Sequence, residues 1–505
     1  MSPEIDAMGP TRKQRFRSAS RRVILFFGLL LTVSGCGGEQ PTTREAPRPK
    51  KPALVTDADL EAVPERASHD EAAVSEGEPA PAVVKPDTGP RRPPDTRRIP
   101  DEDAVSLRGI QRYESKRLRL YSDLPPDRVR HLPALTDALY GELERYFGPL
   151  PPDEMGSEFQ MSGYVMADPA RFEAAGLVPA DLPLIRHGRH RGAEFWMKDQ
   201  SSDYYLEHLL LHEATHCFMT IVPNPMGSQV WYIEGMAELF ATHRPGATPE
   251  FGVMPDDREK FPDLGRIRII NEAVAAGNAL NAQQVLAFQS DDFLDNPPYA
   301  WSWALCWYLA NHPVTRDQFR ALEDNIDPEK PLDSFLTQFA KQQFGIAQGF
   351  WMFTHDLCHG YDLERAAIVF RRGIPPRSGP ETVTIRADRG WQSSLVLVEQ
   401  GRRYRIAATG RYQVGESSKP WISEPQGITL RYFEGEPIGK LLGTIREELP
   451  DKPAENLSMR VVSGLGREAE WTATATGTLY LRVNDAWNSL ADNSGELTVT
   501  ITALP

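Results

Sequence analysis

The hydrophobic pattern of the chain changes near residue 376. Before it, apolar residues recur every three to four positions in segments such as YAWSWALCWYLANH (residues 299–312), the spacing typical of helices. After it, short runs alternate apolar and polar residues and are separated by turn residues, as in TVTIRAD, RYRIAATG and TLYLRVND. Such runs are typical of an antiparallel β-sandwich. The pattern predicts two folded domains, residues 103–375 and residues 376–505.

The first of these predicted domains contains both the spacing typical of helices and the alternation typical of strands. Alternation predicts strands at 117–121, 161–168 and 192–199. A helical period predicts an amphipathic helix that ends at Gly148 and a helical segment at 332–345. A mixed domain followed by strands alone predicts a multidomain α+β fold.

The N-terminal residues predict export. An apolar run from Val23 to Val33 is too short to span a membrane comfortably and follows a basic segment, the order found in signal peptides. The run ends in Val33-Ser34-Gly35-Cys36, which resembles a bacterial lipobox. The resemblance implies removal of residues 1–35 and a diacylglycerol anchor on Cys36, outside the cytoplasm in a bacterial cell envelope; a plain secretory signal is the alternative. The basic residues are Arg12, Lys13, Arg15, Arg17, Arg21 and Arg22.

Residues 36–102 predict a disordered linker, because they are rich in proline and charge and contain no aromatic residue. The formal net charge of -14 argues against nucleic acid as a partner, since nucleic acids are bound by basic surfaces. Only Cys217, Cys306 and Cys358 follow Cys36. An odd number of cysteines leaves at least one thiol free.

The stretch LLLHEATHCF contains a metal-site pattern. Residues four apart on a helix lie on one face, so His212 and His216 can present imidazole nitrogens to one ion while Glu213 reaches a water on it. A catalytic zinc site also needs a third protein ligand and an open position. In the next predicted helix, WYIEGMAEL places Glu234 and Glu238 on one face.

These residues resemble the gluzincin metallopeptidases, and in particular the peptidase-MA-like domains of bacterial envelope proteins. The resemblance covers roughly residues 106–372. It implies a zincin fold in which His212, His216 and Glu234 bind zinc and Glu213 acts as the general base.

The same resemblance implies two supporting roles. Glu238 would orient a ligand imidazole, and Tyr299, placed as in aminopeptidase-type gluzincins, would stabilise the oxyanion. The Gly-x-Met-Glu-Asn strand of those aminopeptidases is absent: the corresponding residues, Gly192 to Trp196, read GAEFW. We expect this strand to line the cleft and pair with extended substrate, and we favour an endopeptidase over an aminopeptidase.

Two histidines and two glutamates could also form a buried polar cluster without an ion. Burying carboxylates without a compensating cation is costly, which favours a bound metal. Five other histidines are not assigned to this site. His208 is interpreted as a core or surface residue, and His187 and His190 as residues of a solvated loop. The pair His355 and His359, in HDLCH, lacks an evident third ligand.

The second domain carries another candidate ion site. Asp485, Asp492 and Asn493 place oxygen donors on one loop, the ligands that calcium prefers; plain turn chemistry is the alternative. The spacing resembles the calcium-dependent galactose-binding bacterial lectins. That resemblance implies calcium bound by these three side chains and by the backbone oxygens of Ser489 and Val414.

The sequence therefore predicts a lipid-anchored extracytoplasmic zinc metallopeptidase: a gluzincin-like zincin domain followed by a lectin-like, jelly-roll-like antiparallel β-sandwich. The expected cofactors are zinc and, in the sandwich, calcium. The expected partners are a peptide or protein substrate, the membrane through the lipid, and an envelope glycan. The alternative is an envelope carbohydrate-binding protein whose peptidase-like domain is an inactive scaffold; an intact Glu213 favours the enzyme.

Overall fold

Cys36, the predicted export signal and most of the predicted linker lie outside the described residues. The described residues belong to one compact unit. No helix in the described part of the chain is long and apolar enough to cross a membrane. The computed structural model describes residues 91–92, 94–182, 187–222, 224–377, 379–447, 459 and 461–505.

The end of the predicted linker lies against the folded unit. Arg92 is buried, and its guanidinium donates hydrogen bonds to the carbonyl oxygens of Pro151 (3.2 Å) and Ser157 (2.8 Å). The same group lies 3.5 Å from the carboxylate of Asp153. Contacts with the folded unit therefore begin upstream of residue 103.

Five strands form a mixed sheet: β1 (Gln111–Glu114), β2 (Leu118–Ser122), β3 (Met161–Met166), β4 (Gly188–Arg191) and β5 (Glu194–Lys198). Their order is β1-β2-β3-β5-β4. β2, β3 and β5 are parallel, whereas β1 and β4 run antiparallel at the two edges. The parallel strands are the three that alternation predicted, and they are largely buried, as parallel strands covered on both faces are.

Helices cover this sheet and extend the domain beyond it. One helix ends as predicted at Gly148, whose φ of 86° suits glycine. The helical segment predicted at 332–345 is interrupted. The helix stops at Gln338, and the next helix begins at Gln343. The Gln338 carbonyl oxygen accepts a hydrogen bond from the Gln318 amide at 2.5 Å. The helices are α1 (Glu102–Leu107), α2 (Pro126–Val129), α3 (Leu132–Phe147), α4 (Pro169–Ala174), α5 (Asp203–Ile221), α6 (Val230–Ala241), α7 (Arg266–Ala275), α8 (Ala282–Leu286), α9 (Asn296–Asn311), α10 (Arg316–Arg320), α11 (Leu322–Asn325), α12 (Pro331–Gln338), α13 (Gln343–Asp356) and α14 (Leu363–Ala366).

The remaining strands pair antiparallel throughout. A two-residue pair, β6 (His243–Arg244) and β7 (Glu250–Phe251), follows α6. The C-terminal strands are β8 (Glu381–Arg386), β9 (Gln392–Val398), β10 (Arg403–Thr409), β11 (Tyr412–Glu416), β12 (Pro420–Ser423), β13 (Gln426–Phe433), β14 (Glu436–Glu447), β15 (Ser463–Gly464), β16 (Glu468–Thr472), β17 (Gly477–Val483), β18 (Asn493–Ser494) and β19 (Glu496–Ala503). They form sheets ordered β16-β10-β19-β8, β13-β14-β17-β9 and β12-β11-β18, with β15 beside β14.

The C-terminal sheets have their own apolar core and also contribute to that of the helices. Ile406, Leu481 and Val499 belong to the core of the sheets, whereas Trp391 and Trp487 belong to the large core built by the helices. The fold is therefore a mixed α+β arrangement in which the antiparallel C-terminal sheets pack against the helical part.

Candidate metal centre

Helix α5 carries the HEATH motif. It begins after Ser202, whose hydroxyl accepts a hydrogen bond from the Tyr205 backbone N–H at 3.2 Å, the usual way to satisfy the first turn. Within the helix, His212 and His216 lie one turn apart and are both buried. Their rings are nearly perpendicular, with centroids 4.6 Å apart.

Helix α6 brings Glu234 to the two histidines. The residue after it, Gly235, faces α9: a Cβ on Gly235 would lie 2.6 Å from the carbonyl oxygen of Ser302 and 2.5 Å from the sulfur of Cys306. Only glycine lets the two helices pack this closely. The close packing of α9 also brings its first turn beside the histidines.

The three predicted ligands converge on one point. His212 Nε2 lies 3.0 Å from His216 Nε2, and Glu234 Oε2 lies 3.4 Å and 3.3 Å from these two nitrogens. Tetrahedral zinc with bonds of about 2.0–2.1 Å separates its donor atoms by about 3.3–3.4 Å. The triangle therefore has the dimensions of three zinc ligands, slightly contracted between the nitrogens.

The chemistry of the donor set also fits a cation. Glu234 Oε2 is buried and has no hydrogen-bond partner among the described residues, which is costly for a carboxylate oxygen. Burial lowers the pKa of His212, but the nearby carboxylates of Glu234 and Glu238 raise it to about 10. Burial likewise opposes ionisation of Glu234, but His216 and His212 hold the pKa of Glu234 well below its usual range. The cluster therefore favours a positive charge where a zinc ion would lie.

Glu238 lies behind the ligand histidines. Its Oε1 is 3.2 Å from His212 Nδ1, and its Oε2 is 3.2 Å from His208 Nε2. Arg266, at the start of α7, donates two hydrogen bonds of 2.8 Å to the same carboxylate. His208 and Arg266 are buried. Of the two interpretations of His208, core or surface, the buried one is confirmed. Arg266, which balances the charge of Glu238, was not among the predicted site residues.

The Glu213 carboxylate lies under strand β4. A Cβ on Gly188 would lie 2.2 Å from Glu213 Oε1, so a side chain at this position would displace the carboxylate. The other oxygen, Oε2, is buried without a hydrogen-bond partner among the described residues. A cleft of about 430 Å³ opens beside His216, and its lining includes His190.

His190 is a second residue of this site that the sequence pattern did not identify. The prediction of a loop histidine is wrong, because His190 lies on β4. Its ring stacks on that of His216, with centroids 4.5 Å apart and an interplanar angle of 21°. Its Nδ1 is 3.7 Å from Glu213 Oε2. The available signal was the alternation in Gly188-Arg189-His190, which puts the glycine and the histidine on one face of a strand.

Tyr299 lies at the other side of the ligands, in the first turn of α9. Its ring centroid is 6.0 Å from that of His212 and 5.8 Å from the Arg266 guanidinium carbon. Burial, followed by the charges of Glu234, Glu238 and Glu213, raises the pKa of Tyr299 well above its ordinary value. Tyr299 therefore stays protonated at neutral pH and can donate a hydrogen bond.

The prediction that the strand at Gly192–Trp196 pairs with substrate is wrong. This segment forms most of β5, which is hydrogen-bonded to β3 on one side and to β4 on the other. Glu194 is buried and accepts a hydrogen bond from the Tyr164 hydroxyl at 2.9 Å. On this side of the described sheet, β4 is the edge strand.

The histidine pair in HDLCH does not form a comparable cluster with other described residues. His355 donates from Nδ1 to the Trp351 carbonyl oxygen at 2.8 Å. Among the described residues, the histidine, cysteine, aspartate and glutamate side chains close enough to share one ion are His212, His216 and Glu234.

The predicted calcium loop follows β17. Asp485 and Asn493 are buried, and Asp485 Oδ2 and Asn493 Oδ1 have no hydrogen-bond partner among the described residues. Asp492 is exposed. Burial, with the charge of Asp492 adding to it, raises the pKa of Asp485 to about 6. Asn493 pairs with Val414 in the ladder between β11 and β18, and Ser489 precedes a short 3₁₀ turn, Leu490–Asp492.

Comparisons with known proteins found low similarity. No family model matches the chain, and no curated protein matches it. Among solved structures, the EclA N-terminal domain, a PllA-like lectin, is 22% identical over 24% of this chain and 95% of that chain, with a TM-score of 0.19. IMPa from Pseudomonas aeruginosa in complex with an O-glycopeptide is 14% identical over 48% of this chain and 24% of that chain, with a TM-score of 0.15. The account of the site therefore rests on its own geometry.

Proposed function

We propose that the protein is a lipid-anchored extracytoplasmic zinc metallopeptidase of the gluzincin type that acts as an endopeptidase. The observation that carries the proposal is the triangle of His212 Nε2, His216 Nε2 and Glu234 Oε2, with sides of 3.0 to 3.4 Å. A buried carboxylate oxygen that faces two imidazole nitrogens without a hydrogen-bond partner is explained by a shared cation.

His212, His216 and Glu234 would hold the ion, and Glu238 would fix His212 through Nδ1. Zinc in such a site supplies a Lewis acid that polarises the substrate carbonyl and lowers the pKa of a water in the open position. Three protein ligands leave that position free, which distinguishes a catalytic site from a closed structural one.

The protein's own groups would carry the proton. Glu213 takes a proton from the attacking water and returns it to the amine of the leaving peptide, a transfer worth about 10²–10⁴-fold in rate. Tyr299 donates its hydroxyl hydrogen to the oxygen that becomes negative in the transition state. β4 is an edge strand of the described sheet and carries His190, which lines the cleft, so its free edge would offer backbone groups to an extended substrate.

The proposal is tested by metal analysis of the purified chain together with digestion of a mixed library of peptides and glycopeptides, read by mass spectrometry. One zinc per chain, internal cleavage, and loss of cleavage in Glu213→Ala with zinc retained are expected. Stoichiometric zinc with no cleavage of any substrate would favour the inactive scaffold.

A second candidate function is glycan binding by the C-terminal sheets through calcium. It is favoured by the unpartnered buried oxygens of Asp485 and Asn493, which are hard donors of the kind calcium selects. Glycan-array binding that requires calcium is expected. A blank array, with a melting temperature that does not respond to calcium, would remove this candidate.

A further inference from the structure

Strand β4 is built around the carboxylate of Glu213. Its first residue, Gly188, has no side chain where a Cβ would lie 2.2 Å from Glu213 Oε1. Two residues later, on the same face of the strand, the ring of His190 extends over the other carboxylate oxygen. Glu213 is therefore covered on one side by bare backbone and on the other by an imidazole.

The imidazole of His190 is held in one plane. It stacks on the ring of His216, with centroids 4.5 Å apart and planes 21° from parallel. In this plane, Nδ1 faces Glu213 Oε2 at 3.7 Å. That oxygen has no hydrogen-bond partner among the described residues, and a closure of less than about 1 Å would give a normal N–H···O distance. Hydrogen bonds in catalytic sites are often long before substrate binds.

We propose that His190 is a positioning residue for the general base: its Nδ1–H donates to Glu213 Oε2 and holds the carboxylate in the orientation that receives the proton of the attacking water. The inference rests on the proposed peptidase function. A purely structural role would not require His190, in the wall of the cleft, to place a polar atom near a buried carboxylate oxygen that has no hydrogen-bond partner among the described residues. The side chain is one-third exposed, so it can adjust when substrate enters.

The test compares three substitutions of His190 that differ in where they place a donor. Asn places an amide nitrogen near the position of Nδ1, Gln places one near Nε2, and Ala has none. Because a small misplacement of a catalytic group can cost about 10²-fold in rate, kcat should fall to that extent in His190→Ala and His190→Gln. It should recover most of its value in His190→Asn, with KM and zinc content little changed throughout.

Two controls accompany these variants. His187→Ala removes an exposed histidine just before β4 and should leave kcat unchanged. In a Glu213→Gln background, His190→Ala should have no further effect, since residues that act as one unit are not additive. Wild-type kcat in His190→Ala, equal losses in the Asn and Gln variants, or loss of zinc in His190→Ala would each overturn the proposal.

A readout that does not depend on turnover separates this inference from the peptidase proposal. In the zinc-loaded chain with ¹⁵N-labelled histidine, His190 should carry its proton on Nδ1, and this resonance should shift in Glu213→Gln. If no substrate is cleaved but the Nδ1–H signal is present and responds to Glu213, the peptidase proposal fails and the contact stands. An unprotonated Nδ1 overturns the contact whatever the activity.

Discussion

The substitution Glu238→Gln tests whether the residues behind the ligands support the metal centre. Gln keeps the size of Glu238 and removes its charge, while Arg266 stays in place. The carboxylate is buried and accepts two hydrogen bonds of 2.8 Å from Arg266. It also lies 3.2 Å from His212 Nδ1 and from His208 Nε2. One substitution therefore disturbs a buried ion pair and the orientation of a ligand imidazole together.

The two effects have different sizes. Leaving Arg266 buried without its anion is expected to lower the free energy of unfolding by about 3–5 kcal/mol, the cost of breaking a buried pair from one side. Loss of the partner of His212 is expected to weaken zinc binding about 10–100-fold, or about 1.4–2.8 kcal/mol. The zinc-loaded chain should therefore lose more stability than the metal-free chain.

Urea unfolding with and without zinc, followed by tryptophan fluorescence, measures the first effect, and competition with a chromogenic chelator measures the second. The matched control is Glu272→Gln, which breaks an exposed pair with Arg268 on α7 at 2.9 Å. That pair is solvent-exposed, so a change within about 0.5 kcal/mol and no change in zinc affinity are expected. A destabilised Glu238→Gln variant with unaltered zinc affinity would refute the role assigned to Glu238.

Three further predictions concern other groups. Tyr299→Phe should keep zinc and lower kcat about 10²–10³-fold, as loss of an oxyanion donor does; steady-state kinetics that match the wild type would exclude this role. Burial lowers the pKa of His312 to about 4, so between pH 6.5 and 4 the unfolded chain binds a proton that the folded chain does not. The free energy of unfolding should therefore decrease by about 3 kcal/mol as the pH falls through that window. His312→Asn, which can still accept from the Val314 N–H, should flatten the pH profile of urea unfolding. Because the pKa of Asp485 is raised to about 6, its ionised form destabilises the folded cation-free chain at pH 7. The substitution Asp485→Asn should therefore raise the melting temperature measured without calcium. It should also abolish any rise in melting temperature on adding calcium.

The parts of the site that could be predicted are those set by local periodicity. His212 and His216 are one helical turn apart, and any helix through them presents both to one ion. Glu234 followed from helical spacing in the next segment and from resemblance. The parallel strands β2, β3 and β5 followed from the local alternation of residues within each segment.

The parts that could not be predicted depend on contacts between distant segments. Arg266 reaches Glu238 because α6 and α7 both pack against α9, and no periodicity in the sequence encodes that packing. His190 reaches Glu213 because β4 reverses direction and takes the edge of the sheet beside α5. The sequence pattern around Gly192 indicated a strand, but only the order of strands shows that β5 is interior and β4 is the edge.

His212, His216 and Glu234 would hold a zinc ion that supplies the Lewis acid, and Glu213 would act as the general base beside it. The most direct measurement is the rate of internal peptide cleavage by the metal-stripped chain as zinc is titrated in, with Glu213→Gln carried through the same titration. We expect activity that rises to a plateau at one zinc per chain in the wild type. In the variant we expect bound zinc with cleavage at least about 10²-fold slower. Cleavage that is independent of zinc, or equal in the two proteins, would contradict it.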